Sequence, residues 1–174
     1  MDWAAFEDEW RSEATRALAA LTSANPGERF YAAAFHLFYS DESQILSPAL
    51  AANVESAVRV EDWGSTRFVP PEWRWDVLDA ASAAMASRYE ILTKELVASP
   101  DPDGILLDHD QAMARVCRSL TASARRGAIH PSLPLDFVLA VIEGQRGEDE
   151  MRALVRESVD PHVLAALPAL AAMA

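Results

Sequence analysis

A chain of 174 residues, 51% hydrophobic and 8% aromatic, holds enough apolar material for one packed domain and is no disordered polymer. Its 15 Lys plus Arg against 27 Asp plus Glu leave a formal net charge of −12, which argues against nucleic acid and anionic membranes as partners and favours a basic protein. Excess acid also has a simpler reading, since it keeps a protein in solution.

The first predicted element is a helix. Trp3, Phe6, Trp10, Ala14, Ala17, Leu18 and Leu21 recur at steps of three and four residues, which makes one apolar stripe. Asp2 is placed to cap it, and Glu7, Asp8 and Glu9 lie toward the positive end of its dipole. "SANPG" ends it, because Pro26 and Gly27 both break helices.

"RFYAAAFHLFYSDESQILSPALAANVES" follows. As a helix, its apolar residues would surround the whole cylinder, which suits only a central position. As a strand, Tyr31, Phe35, Leu37 and Tyr39 share one face, and Phe30, His36 and Phe38 the other. The aromatic enrichment and the polar tetrad Ser40, Asp41, Glu42, Ser43 favour strand and turn. "QILSPALAA" then returns, with Pro48 at an edge, a bulge or a strand end. The result is a hairpin over about residues 29–52, followed by a short helical turn capped by Asn53.

"EDWGSTRFVPPEWRWD" is a connector rich in Trp and Pro. Pro70 and Pro71 suit the first turn of a helix over residues 73–97, with Val77, Leu78, Ala81, Met85, Tyr89, Leu92 and Leu96 inward. After the loop "SPDPDG", Asp108 and Gln111 resemble a capping box opening a helix that runs to about Arg125, with Arg125, Arg126 and Gly127 at its C-terminus. "LDFVLAVIEG" reads as a buried strand near residues 136–142 that stops at Gly144. "EDEMRALVRESV" and "PHVLAALPALAAMA" complete the chain as helices, the second bent or broken near Pro168.

With no internal repeat and no linker, the expectation is one domain over residues 1–174, α+β and helix-rich, with a small sheet holding the hairpin and the later strand. The acidic start "MDWAAFEDEW" lacks the pattern of a signal peptide, and the apolar tail is too short to span a bilayer. A cytoplasmic protein of bacterial type is the expectation.

Three stretches carry a resemblance to a bacterial domain-of-unknown-function family, the one numbered four-three-zero-three. "FYAAAFHLFYSDESQILSPALAANVES" is similar to its aromatic strand, acidic turn and Pro-bearing return. "RFVPPEWRWD" is similar to its Arg-Trp-Ser-Pro-x-Glu-Trp-x-Tyr-Glu motif, and "DFVLAVIEGQRGEDEMRALVRESVDP" to its late strand, acidic helix and closing Ser-Val segment. Phe68 stands where the family tends to have Trp, Trp75 where Tyr is usual, and Val54 where Thr is expected. Members tend to occur near bacterial toxin-immunity genes, so the resemblance implies a binding role by association.

Catalytic signatures are missing: there is no Gly-x-Ser-x-Gly, His-Glu-x-x-His, phosphate-cradling loop or Cys-x-x-Cys. His36 reads as a hydrogen-bonded histidine of the core or sheet face rather than a general base. Asp101, Asp103, Asp108, His109 and Asp110 invite a metal, but Gly104 is misplaced for a calcium loop and the closing Glu is missing, so a solvated loop feeding a helix cap is preferred. Cys117, the single cysteine, excludes an intrachain disulfide and reads as a packed small hydrophobe. Neither metal nor cofactor is expected.

Glu72, Trp73, Arg74 and Trp75 offer Trp and Arg anchors on a proline-stiffened segment, although core packing is the simpler role for the tryptophans. Glu148, Asp149 and Glu150 cluster at a helix start. These seven residues are the candidate partner-binding set. The expected function is a non-enzymatic, immunity-like binding domain whose acidic surface meets a basic protein such as a toxin. The alternative is an enzyme with a site around His36 and the segment from Glu72 to Asp76.

Overall fold

The computed structural model describes residues 1–37, 39–41, 44–58, 68–70, 73–75, 79–143 and 147–174. The fold is helix-rich α+β, as the patterning predicts, with a three-stranded sheet between two layers. The described elements run in chain order as α1 (Trp3–Ala24), β1 (Phe30–Leu37), β2 (Tyr39–Asp41), β3 (Gln44–Ile45), β4 (Ala49–Val54), α2 (Asp79–Ala98), α3 (Pro102–Arg125), β5 (Val138–Glu143), α4 (Glu148–Ser158), α5 (Pro161–Ala165) and α6 (Pro168–Ala171).

α1 forms for the reasons its stripe gives. The Asp2 carboxylate accepts from the Ala5 N–H at 3.1 Å, and Phe6, Trp10, Ala14 and Leu18 are buried. Glu7, Asp8 and Glu9 lie beyond its first turn, where the dipole has little hold, and they serve as ion-pair partners instead. Glu7 reaches Arg115 of α3 at 2.9 Å and Glu9 pairs with Arg88 of α2, so α1 is tied to both neighbours.

The hairpin is present: β1 and β4 pair antiparallel, with Phe35 opposite Leu50 and His36 opposite Ala49. β2 and β3 extend it as a two-stranded ribbon, and Pro48 stands immediately before β4. Of the four turn residues, Ser40 and Asp41 end β2, while Glu42 and Ser43 lie outside the described residues, as does Phe38.

Simple alternation fails at one point. The ladder steps from Phe30↔Val54 to Ala32↔Asn53, so Tyr31 is an extra residue in a bulge. Phe30 consequently packs with Ala33, Phe35 and Leu37, whereas Tyr31 joins Ala32 and Ala34 on the opposite face. Expected face-mates Tyr31 and Phe35 are therefore in different layers. Asn53 is also not a helix cap: it is a buried β4 residue, and the short 3-10 turn Glu55–Ala57 that follows has no side-chain cap.

β5 runs parallel to β1 on its other side, giving the order β4-β1-β5. It starts at Val138, two residues after the expected start, and Gly144 lies outside the described residues. One face of the sheet packs on α1, α2 and α3. The other packs on α4, α5, α6, Phe68 and Trp73. The final helices break before Pro168 as expected.

Two helix starts differ from expectation. Trp73 and Trp75 are not helical, because the Trp75 backbone bridges Ala52 of β4; the described helix is Asp79–Ala98, and Val77 and Leu78 lie outside the described residues. The inward set Ala81, Met85, Tyr89, Leu92 and Leu96 is buried as predicted. α3 begins six residues before Asp108. Asp101 caps it by accepting from the Gly104 N–H at 3.0 Å, and Pro102 occupies the first turn, where it costs no hydrogen bond. Its other end is as expected, with Gly127 at φ 71° just past the last turn.

Each outer strand of the sheet is met by other groups at part of its edge. On β4, the Ala52 N–H donates to the Trp75 carbonyl at 2.7 Å and the Trp75 N–H returns to the Ala52 carbonyl at 3.3 Å. On β5, the Leu139 N–H donates to Thr121 Oγ1 at 2.9 Å and the Val141 N–H to Ser158 Oγ at 3.0 Å. Side-chain hydroxyls thus stand where another strand would pair.

Candidate functional site

The segment Trp73, Arg74, Trp75 wraps over the β4 edge. Trp73 is only 4% exposed and packs on Tyr31 with ring centroids 6.4 Å apart, in one layer. Trp75 lies 5.1 Å from the Phe30 ring, toward the other layer. Asn53 latches the wrap by donating to the Tyr31 hydroxyl at 3.0 Å and accepting from the Arg74 N–H at 3.3 Å. Arg74 is exposed, but its guanidinium lies 4.8 Å over the Trp75 ring and 2.5 Å from Glu28. Trp73 therefore has the packing role that its bulk predicts, and Arg74 is already engaged within the chain. Glu72 and Asp76 lie outside the described residues.

His36 is half-buried near the carboxyl end of β1, between Ala49 and Ile142. Burial pulls its imidazole below the ordinary value, while the Glu143 charge opposes that pull. Trp75 bridges Ala52, whose β1 partner is Ala33, three residues from His36. At roughly 3.3 Å per residue that separation is about 10 Å, so His36 and the tryptophans do not form one cluster.

The acid-rich stretch at residues 101–110 is not a solvated loop. Asp101 is the α3 cap and Asp103 lies in the first turn, whereas His109 and Asp110 are 1% and 3% exposed on the inner face of α3. There they meet a polar chain that pattern reading misses. The Trp10 indole N–H donates to the Tyr89 hydroxyl at 3.2 Å, and that hydroxyl lies 3.0 Å from His109 Nε2. An indole can only donate, so the phenol proton goes to Nε2 or, at 3.9 Å, to Met113 Sδ, and the His109 tautomer follows that choice. Among the described residues Nδ1 makes no hydrogen bond; it faces Asp110 Oδ1 at 3.6 Å, an attraction beyond hydrogen-bonding range.

Burial pushes the Tyr89 phenol well above its ordinary value and keeps it a neutral donor. Phe6 and Trp3 ring the histidine, with centroids 5.9 and 6.5 Å away. This cluster joins α1, α2 and α3 and is sealed from solvent, so its chemistry is cohesion. Only its polar residues in otherwise apolar helix faces signal it in the sequence. Cys117 is fully buried on α3, where burial pushes its thiol well up, as expected of a packed residue.

Glu148, Asp149 and Glu150 form the exposed first turn of α4, where carboxylates favour the helix dipole. Glu148 pairs with Arg152; Asp149 and Glu150 have no cation partner among the described residues. A groove of about 400 Å³ runs between residues 44–47 and Ala86, Tyr89, Glu90, Thr93 and Lys94 of α2. A smaller polar cleft between α3 and α4 holds Arg115 and Arg118, which are taken up by Glu7 and by the Glu157 carbonyl. Among the described residues no group of His, Cys, Asp and Glu is arranged to hold a metal ion, and no helix is long and apolar enough to cross a membrane.

No family model, no curated protein and no solved structure matches the chain.

Proposed function

We propose that this chain is a non-enzymatic binding domain whose acidic helical surface meets a basic protein, in the manner of an immunity factor occupying a toxin. The observation that carries the reading is where the charges go. Arg11, Arg16, Arg29, Arg74, Arg88, Arg115 and Arg152 are all held by carboxylates of the same chain. Arg118 and Arg125 are held by backbone carbonyls. Exposed Asp103, Asp108, Asp149 and Glu150 have no such partner among the described residues; Lys94, Arg126 and Arg156 lack a carboxylate there too, and the net charge of −12 leaves the field negative. The partners at Ala52, Leu139 and Val141 block strand addition at those points of the sheet edges, which favours helical surfaces for recognition. The likeness to family four-three-zero-three, with its toxin-immunity neighbourhoods, adds support by association.

The test is capture from the host lysate with two baits, the wild-type chain and a Glu148→Lys, Asp149→Lys, Glu150→Lys variant. A basic protein held by the first and lost from the second is the expected result. Equal capture by both contradicts the acidic-surface reading.

One observation favours a second reading, an enzyme. His36 and Glu143 lie at the carboxyl ends of the parallel strands β1 and β5, where sheets with helices on both faces tend to place ligands. Turnover of a substrate that disappears in a folded His36→Ala variant would select it over binding alone.

A further inference from the structure

Besides its buried stripe, α2 carries alanines and the exposed Ile91 and Val97, interspersed with Ser87, Glu90 and Lys94. Its inner face is covered by α1, α3, β3 and β4. Its outer face is open: Ala83, Ser87, Glu90, Ile91, Lys94 and Val97 are exposed, Ile91 by 44% and Val97 by 67%. Ala83, Ser87, Glu90, Lys94 and Val97 follow one another at alternating steps of four and three residues, so they lie along one face of the helix.

We propose that this face packs against α2 of a second copy of the chain, antiparallel about a two-fold axis. The charges select that occupant. Copies carrying −12 repel unless they meet on a neutral surface, and this strip holds one carboxylate and one ammonium. An axis at the level of Leu92 sets Glu90 of each copy against Lys94 of the other and Ser87 opposite Val97, the self-complementarity that a two-fold interface needs. Neither Glu90 nor Lys94 takes part in an ion pair within the chain among the described residues, so both are available. Arg88, which would unbalance the strip, is turned back to Glu9. Ala83 and Ser87 are small enough to let the two backbones approach closely, and Ile91 and Val97 supply the apolar area. A basic partner finds its match elsewhere, on the exposed carboxylates.

Sedimentation velocity over a concentration series, on the wild type and two variants, tests this. Wild type should pass from monomer to dimer. Lys94→Glu crowds four carboxylates around the axis and should weaken the dimer at least about tenfold. Glu90→Lys combined with Lys94→Glu restores the pairing with reversed sense and should recover it. Both positions are exposed, so unchanged circular dichroism melts are expected at concentrations where every variant is monomeric. A wild type that stays monomeric at every concentration overturns the proposal. So does a dimer indifferent to Lys94→Glu, or a double variant as defective as the single one.

Discussion

The Thr121 hydroxyl of α3 both accepts from the Leu139 N–H at 2.9 Å and donates to the Leu139 carbonyl at 3.2 Å, so one side chain satisfies the outer backbone of β5 at that residue. Both groups are buried, and nothing of similar shape but apolar can replace the hydroxyl without leaving them unpaired. Thr121→Val should cost about 1–3 kcal/mol in urea denaturation at an unchanged m-value. A midpoint equal to that of wild type would refute this account of the sheet edge.

Tyr89 plays a comparable part among the helices. Tyr89→Phe removes the acceptor of the Trp10 N–H and the partner of His109 Nε2, and should cost about 1–3 kcal/mol. Trp10→Ala, which also empties a fully buried ring site, should cost about 3–5 kcal/mol. Denaturant titration of both variants gives the order, and a Tyr89→Phe protein as stable as wild type would make the chain of hydrogen bonds incidental.

Trp73→Ala should likewise cost about 3–5 kcal/mol, because the ring is buried against Tyr31 and Phe68. Asp103→Ala removes an exposed carboxylate from the first turn of α3 and should cost only about 0.3–1 kcal/mol. Equal denaturation midpoints for these two variants would contradict the packing of the wrap.

His36 supplies a pH signature. Its folded-state pKa lies below the ordinary 6.5, chiefly through burial. Between the folded and unfolded values the unfolded chain binds the proton more readily, so the His36 contribution is whole above about pH 6.5 and is lost as pH falls through the folded value. Thermal melts at about pH 7.5 and about pH 5.5 should therefore differ less in His36→Gln than in wild type. An identical pH dependence in the two proteins would show that His36 is not held neutral by the fold.

Much of this architecture is legible in the chain, because α1, the α2 core face and β5 announce themselves by local spacing. What local spacing does not carry is competition between sites distant in sequence. Pro70 and Pro71 suit a helix start, yet the open edge at Ala52 takes the Trp75 backbone first. Asp108 with Gln111 looks like a cap, but Asp101 followed by Pro102 begins the helix earlier and carries Asp108 into its interior. His109 and Asp110 read as solvated because Trp10 and Tyr89, themselves 79 residues apart, become their neighbours only in the fold. The bulge at Tyr31 leaves no local mark, as an alternating run hides one extra residue. The candidate binding surface is legible as charge at Glu148, Asp149 and Glu150, whereas the engagement of the arginines emerges only when distant carboxylates are brought to them.

The association rate with a captured basic partner tests the central claim most directly. Opposite charges act on encounter more than on final affinity. Raising salt from about 0.05 to 0.5 M should slow association severalfold, and the Glu148→Lys, Asp149→Lys, Glu150→Lys variant should lose most of that dependence. An on-rate indifferent to both salt and the charge reversal would contradict recognition through the acidic surface.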